Sequence, residues 1–501
     1  MATETSVDVC IVGYGPTGAT LANLLGQDGV STIVVERQAA PYDLPRAVHF
    51  DAEVMRVFQT IGLAEPILPT THISPGMLFV DRCGRLLVDW PRPMDVGPQG
   101  WHTSYRFHQP ELEQILRAGV DRFSCVCVRE CYEFLGAEQN GSGVTVRVQD
   151  LKTGEVEVIR CKYLVGADGA RSKVRDELIG TESHDLNFNQ NWLVVDVRLT
   201  RAMPELGDYS IQFCDPERPT TYVRGIGNRR RWEIALWPGE NPEDMMCPDN
   251  VWARLSRWVT REDAVLERAA SYTFRSLINR RWRNGGVFIA GDAAHLTPPF
   301  LGQGMCAGIR DVANLGWKLI RVLRGRSGPA LLDTYACERI PHVTEYIAEA
   351  VRLGELINTC ALRSVTNGVP TGDGGIRIKS IAPSLGPGLA VGWTEPALQI
   401  APQPMLSDGR RADDVAGYGY ALFTRATLPV PSRRNLSVIA DPAVLPWLDE
   451  LGAEAVLVRP DRYVLGAARN KGELDDLLAA VRSLFPLGNT GTPTNENDRR
   501  S

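Results

Sequence analysis

The chain has 501 residues, 44% of them hydrophobic and 23% charged, with a formal net charge of −6. That balance suits a soluble chain of several domains and excludes a basic nucleic-acid-binding surface or a polybasic membrane anchor. The apolar runs are strand-sized, short of the ~20 residues that a membrane-spanning helix needs, and the polar start Met1–Asp8 lacks the basic head of a secretion signal. The eleven cysteines are scattered, and the spacing of Cys125, Cys127 and Cys131 fits neither a zinc site nor a CxxC pair. Reduced cysteines, no metal and a cytoplasmic location are therefore expected.

In chain order, Val7–Val12 reads as an apolar strand, Pro16–Gly29 as a helix with Leu21, Leu24 and Leu25 on one face, and Thr32–Val35 as a β-branched strand ending at Glu36. Helices are predicted over 51–61 and from Pro110 to about Arg122. A strand meander follows over 126–164, with a turn at Asn140-Gly141, and a second strand-rich stretch covers 192–238. Within it Arg229, Arg230 and Arg231 read as a solvated turn. Val287–Ala290 is a short buried strand, and long helices are predicted over about 303–323 and 330–356. The Gly- and Pro-rich stretch 359–404 reads as a linker, 405–487 as a small α/β domain, and 488–501 as a disordered tail. Residues 1–185, rejoined by 280–358, are expected to form one domain and 186–279 an antiparallel sheet domain.

Three motifs carry chemistry. Gly13-Tyr14-Gly15-Pro16-Thr17-Gly18 lies between the first strand and helix, with Glu36 closing the next strand. Gly13 permits the tight turn, Gly15 lets a pyrophosphate approach the backbone, Gly18 lets the helix pack on the strand, and Glu36 suits a ribose. This describes a dinucleotide site without choosing between FAD and NAD. The second motif, Asp168-Gly169-Ala170-Arg171-Ser172-Lys173-Val174-Arg175, follows the strand Tyr163–Val165. The third is Gly291-Asp292-Ala293-Ala294-His295, then Pro298-Pro299 and Gly302-Gln303-Gly304 at a helix start. An Asp after a buried strand suits a ribityl chain, and the helix start suits the negative charge of a reduced flavin.

In this order the motifs resemble the class A flavoprotein monooxygenases of the p-hydroxybenzoate hydroxylase type, over about residues 7–357. Within that class Pro45–Glu53, Phe107–Leu112, Pro299–Met305 and the C-terminal Arg459–Val464 are similar to the 3-(3-hydroxyphenyl)propionate hydroxylases. The resemblance implies an α/β fold: a Rossmann-like FAD-binding domain, an antiparallel-sheet substrate domain and a small thioredoxin-like C-terminal domain, here without cysteine. It implies that Gly13, Gly15, Pro16, Thr17, Gly18, Glu36, Arg37 and Arg46 bind the ADP half of FAD. Gln109 would approach the flavin's linker, Asp168 the pyrophosphate and Asp292 the ribityl chain. Pro298 would border the flavin ring, and Gly302, Gln303, Gly304 and Met305 would face its pyrimidine edge.

The chain shows a single GxGxxG, which fits a nicotinamide that docks transiently. The implied cycle passes hydride from NADH or NADPH to FAD, forms a flavin C4a-hydroperoxide with O2, and transfers oxygen to a phenolate ring. The expected partners are a small phenolic substrate and O2, with neither nucleic acid nor membrane, in a possible homodimer. A tailoring hydroxylase or epoxidase on a polyketide-type aromatic, and a flavin-binding protein without turnover, are the alternatives. A free phenol ionises near pH ~10, so a group that favours the phenolate is expected. His49 and Asp51 are the candidates, although Asp51 also suits a helix N-cap, and a structural hydrogen bond is preferred for His295. Ile211, Phe213, Tyr222, Ile234 and Leu236 are candidate pocket-lining residues, about half of which strand alternation should turn away. Arg224 is the candidate partner for a substrate carboxylate.

Overall fold

Val9, Cys10, Ile11 and Val12 form an unbroken apolar run, the pattern of a strand covered on both faces. A computed structural model describes residues 4–41, 46–141, 143–361, 365, 368–372, 375–425 and 436–484, and in it this run is the buried end of strand Glu4–Val12. Pro45 and the tail 488–501 lie outside the described residues. Strand Glu4–Val12 runs parallel to Thr32–Glu36 on one side and to Val156–Gly166 on the other. Val126–Glu130 and Val287–Ile289 extend the sheet, again in parallel. All three motifs follow the carboxyl ends of these strands: Gly13 after Val12, Ala167-Asp168 after Gly166, and Gly291 just beyond Ile289. That edge of an open parallel sheet is where ligands bind in such folds.

The second sheet has ten strands. Its order is 295–296, 264–279, 183–199, 229–235, 220–224, 210–214, 76–81, 86–91, 376–378 and 368–370. Register gives it two distinct faces. Ile211 pairs with Tyr222, Tyr222 with Trp232, and Trp232 with Val195, so these share one face. That outer face packs against Val251, Leu255 and Val259 of the segment around helix Pro248–Leu255. The inner face carries Phe79, Val88, Trp90, Trp192, Cys214 and Ala235, which pack with Phe300, Leu301 and Tyr346. The strand Ala264–Asn279 ends by pairing with His295-Leu296, which ties this sheet directly to the third motif.

Three features differ from expectation. Strands Gly76–Asp81 and Leu86–Pro91 fall within the 1–185 stretch yet join the second sheet, the first lying parallel to Ser210–Cys214. Two short strands of the 359–404 stretch extend its edge. Such pairings are non-local, so no local pattern announces them. Arg230 and Arg231 are not solvated: they lie in strand Arg229–Ala235 and are 7% and 4% exposed. The alternation that continues through Trp232 and Ile234 turns Arg231 inward, where Asp196 holds it at 2.7 Å.

The helix Gly304–Leu323 runs through the middle of the molecule and is buried from Cys306 to Arg321. A four-stranded sheet follows, ordered 436–439, 420–424, 455–458 and 464–468, with helices Leu445–Leu451 and Lys471–Leu484. The strand Val464–Ala468 ends in Gly466-Ala467-Ala468, residues of little strand propensity, and is held by its pairing with Ala455–Val458. Gly466 is required by close packing, since a Cβ there would lie 1.7 Å from the Val391 carbonyl oxygen.

Trp192 is fully buried, stacked on Phe274 and set edge-on to Phe300, so it joins the second sheet to the third motif. Trp192→Ala is expected to cost about 3–5 kcal/mol through the cavity it leaves. The measurement is a lowered thermal unfolding temperature, with an unchanged temperature counting against this packing.

Candidate active site

The three glycines of the first motif have separate duties. Gly13 has φ 103°, and a Cβ there would lie 2.3 Å from the Ala167 oxygen. A Cβ on Gly18 would lie 2.0 Å from the Gly13 oxygen. The fold itself requires both. A Cβ on Gly15 would meet no protein atom within 4 Å, so at this position it is a ligand that needs the space. Gly15 is the N-cap of helix Pro16–Gln27, with no side-chain cap, which leaves first-turn N–H groups for an anion. Glu36 accepts hydrogen bonds from the N–H groups of Tyr14 and Gln38, each 2.8 Å, and so pins the turn to the end of the second strand. Arg37 beside it is exposed.

The other motifs close on this turn. Asp168 accepts hydrogen bonds from the Ser172 hydroxyl (2.5 Å) and the Val174 N–H (3.2 Å), so its carboxylate shapes its own loop, which abuts Gly13. Thr17 sits where a Cβ on Gly291 or on Gly308 would be, 2.8 and 2.5 Å from its Oγ1. The first helix, the third motif and the central helix therefore meet at one point. Gln109 accepts from the Arg46 and Ala47 N–H groups at 2.9 and 2.7 Å and donates to Glu113 at 2.7 Å. Its side chain fixes the 46–47 segment. Arg231 donates to the Arg46 carbonyl from the far side at 2.7 Å.

Asp292 is open to solvent and accepts no hydrogen bond from any described residue. Even so, surrounding protein raises its carboxyl above the usual range, against the pull of His295 and Arg46. Further along, Pro298 is buried, Gly302 has φ 65°, and Gln303 opens the central helix without a side-chain cap. A Cβ on Gly304 would also meet nothing within 4 Å, and Met305 is half-buried beside it. The open space at Gly15 and Gly304, two uncapped helix starts and the unpartnered Asp292 fit the phosphates, polyol and ring of an FAD.

His49 and Asp51, candidates for activating a phenol, are committed elsewhere. The His49 Nε2 bonds the Ser104 hydroxyl at 2.8 Å, and its Nδ1 faces the Gly302 carbonyl at 3.5 Å. Burial, and then Arg92, push its pKa down to about 4, which makes it too weak a base to favour a phenolate near neutrality. Asp51 is the N-cap of helix Ala52–Thr60, accepting from the Val54 N–H, while its other oxygen accepts from Gln303 and Arg310. Burial opposes its charge, but Arg310 and His49 outweigh it and hold the carboxyl below its usual range. Both side chains thus position the start of the central helix. His295 is buried and bonds Asp311 through Nε2 at 2.7 Å, the structural role expected of it.

The substrate candidates on the second sheet need correction. Ile211, Phe213, Tyr222, Ile234 and Leu236 all belong to the outer face, against the helical segment at 248–259. The residues expected to divide between faces share one because the strands pair in register. Arg224 also lies outside the chamber, 3.4 Å from Asp208 and bonded to the carbonyls of Gly225 and Gly227. The inner face instead presents Gln212, Thr221 and Glu233 beside Trp192 and Phe79. Reading the sequence also missed Arg92. It stacks on Trp90 at 3.9 Å, donates to the Ser380 hydroxyl, and has no carboxylate within 4.0 Å among the described residues. Burial lowers its pKa to about 10, opposed by Asp51 and Tyr346. Arg310 and Asp311, adjacent charges in a helix of high apolar content, were the available sign of a buried network.

Residues 6–350 match the family described as "FAD binding domain". A probable NADH-specific resorcinol 4-hydroxylase of Rhodococcus jostii (strain RHA1) is 36% identical, over 95% of each chain. A 3-(3-hydroxy-phenyl)propionate/3-hydroxycinnamic acid hydroxylase of Mycobacterium sp. (strain JLS) is 34% identical, over 97% of this chain and 94% of its own. Among solved structures, the flavin-dependent monooxygenase PieE with FAD and substrate superposes with a TM-score of 0.80 at 22% identity, over 96% of this chain and 99% of that one. With the motifs gathered at one strand edge and this extent of likeness, the chain belongs to the FAD-binding-domain family as a class A flavoprotein monooxygenase.

Proposed function

We propose that the enzyme uses NADH or NADPH and O2 to hydroxylate the ring of a phenol that bears a short carboxylate chain, a 3-(3-hydroxyphenyl)propionate-like substrate. FAD, when bound, supplies the redox chemistry and the activation of O2. The chain's own residues supply the seat. In this reading Gly13 to Gly18, Glu36, Arg37 and Arg46 hold the ADP half, and Asp168 shapes the pyrophosphate side. Gln109 acts through the 46–47 segment, and Asp292 accepts from the ribityl hydroxyls. Pro298 and Gly302 to Met305 border the ring, and the uncapped helix start favours negative charge there. The chamber is the space between that helix start and the inner face of the ten-stranded sheet.

Arg92 is the observation that carries the substrate class. A guanidinium stacked on Trp90 with no carboxylate within 4.0 Å among the described residues suits an anionic ligand. Resorcinol, which the 36% identical relative is named for, is the second candidate and has no carboxylate to offer Arg92. We extend the proposal to a cytoplasmic enzyme, which suits eleven unpaired cysteines, and to a homodimer on the resemblance alone.

The direct test offers phenolic acids and resorcinol to the FAD-loaded enzyme, following NADH oxidation and identifying the product by mass. Stimulated oxidation with one oxygen added to a carboxylated phenol is expected, and a flavin that no phenol makes NADH reduce would sink the reading. Arg92→Ala should raise KM for the carboxylated substrate about 10- to 100-fold, the worth of a charged hydrogen bond. Resorcinol turnover by that variant should barely change; equal losses on both substrates would remove Arg92 from this role. Gly15→Val should fold normally, because the space is empty of protein, yet fail to retain FAD. Asp292→Ala should weaken FAD binding in the same titration, and wild-type affinity in either variant would contradict the site.

A further inference from the structure

Arg310 and Asp311 are successive residues on the central helix, and they begin two buried hydrogen-bond paths that meet in the C-terminal part of the chain. From Asp311, Oδ2 takes the Gly291 N–H at 3.0 Å and His295 at 2.7 Å, both in the third motif. Its Oδ1 accepts from Arg339 at 2.9 Å, and Arg339 donates to His342 Nδ1 at 2.8 Å. Arginine has only donors, so His342 carries its proton on Nε2 and gives it to the Tyr463 oxygen at 3.2 Å. Tyr463 in turn donates to Glu53 Oε1 at 2.8 Å. Arg310 closes the path: its Nε reaches Glu53 Oε2 at 2.5 Å, and its Nη1 holds Gln303 Oε1 at 2.8 Å.

Every donor in this ring meets an acceptor, and every link is buried or half-buried. Its members come from helix Ala52–Thr60, the central helix, helix Thr334–Thr359 and the approach to strand Val464–Ala468. We propose that Tyr463 is a positioning residue of the flavin site, through which the C-terminal unit sets the start of the central helix. With no cysteine in that unit, its contribution to the enzyme is this contact rather than redox chemistry. The chemical reason is directional. Glu53 needs a donor on Oε1 to stay aligned with Arg310, and Arg310 sets the angle of Gln303, hence of the Gly302–Gly304 backbone. Asp51 fixes the other end of the Gln303 amide. Burial, Arg339 and Arg310 keep His342 neutral, which preserves its role as donor to Tyr463.

The inference rests on FAD binding at this site, and its test separates the two. Tyr463→Phe keeps the ring's packing and removes one hydroxyl. FAD affinity by titration of the apoprotein and the reduction potential of the bound flavin are compared with wild type, beside Arg411→Ala. Arg411 stacks on Trp101 at 3.8 Å and bonds Gly100, so it docks the same unit outside the ring. Tyr463→Phe should raise the FAD Kd about tenfold, the worth of a hydrogen bond to a charged group, and shift the potential. Arg411→Ala should leave both unchanged. Should Tyr463→Phe fail to fold, Glu53→Gln, which replaces one of the two acceptor oxygens shared by Tyr463 and Arg310 with an amide NH2, opens the ring at its next member and carries the same expectation. A wild type that binds FAD beside a variant of equal affinity and potential overturns the ring alone. Equal shifts in Arg411→Ala would reduce Tyr463 to a docking contact. A wild type that takes up no FAD would remove the reading beneath both.

Discussion

The start of the helix Gly304–Leu323 is half-buried and has no side-chain cap. The first N–H groups of any helix need partners, and here the residues around them withhold one. Gly302 turns in the left-handed region, Gly304 leaves space, and Gln303, which might have capped the end, is drawn away by Arg310 and Asp51. The arrangement is costly for a protein alone and sensible for one that receives an anionic ring edge. The glycine turn at Gly13 and the loop at Asp168 are packed so that the remaining parts of a dinucleotide cofactor have one seat.

Holding such a site open demands rigidity, and the molecule supplies it with charge. Arg310 lies between Asp51 and Glu53, and Asp311 between His295 and Arg339. Nearby, Glu338 accepts from Lys318 at 2.7 Å and twice from Arg459. Buried ion pairs seldom add much net stability, because desolvation offsets their attraction. Their value lies in directional bonds, which favour one arrangement of the segments they join and penalise any slip. The burial of the Lys318 ammonium lowers its pKa to about 8 despite Glu338, a sign of how dry this interior is.

The ten-stranded sheet divides the substrate region by the same logic of layers. Its outer face is an ordinary apolar core, while its inner face mixes Trp192 and Phe79 with Gln212, Thr221, Glu233 and Arg231. An apolar chamber with a few fixed polar groups suits a small aromatic ligand. Arg92 directly follows the strand Leu86–Pro91 of this same sheet, so a segment from the early part of the chain helps to build it.

The sequence by itself determined the nucleotide turn, its flanking strands and helix, and the long helix after Gly302; for Asp51 it offered an N-cap beside a catalytic role, and the structure shows the cap. These are local: φ at Gly13, apolar periodicity and capping are set within a few residues. It also determined the family, because three motifs in order are specific. Only the tertiary structure decided which face each strand of the second sheet presents. It set Tyr222, Ile211, Phe213, Leu236 and Arg224 on the outer face, because strand register and the packing of the helical segment at 248–259 decide which side is covered, and it joined the strands before Arg92 to strands more than a hundred positions later. It likewise decided that His49 would be a weak base, since burial and a neighbouring guanidinium are properties of packing. The link from Tyr463 to Glu53 spans most of the chain, and no local pattern encodes a contact at that distance.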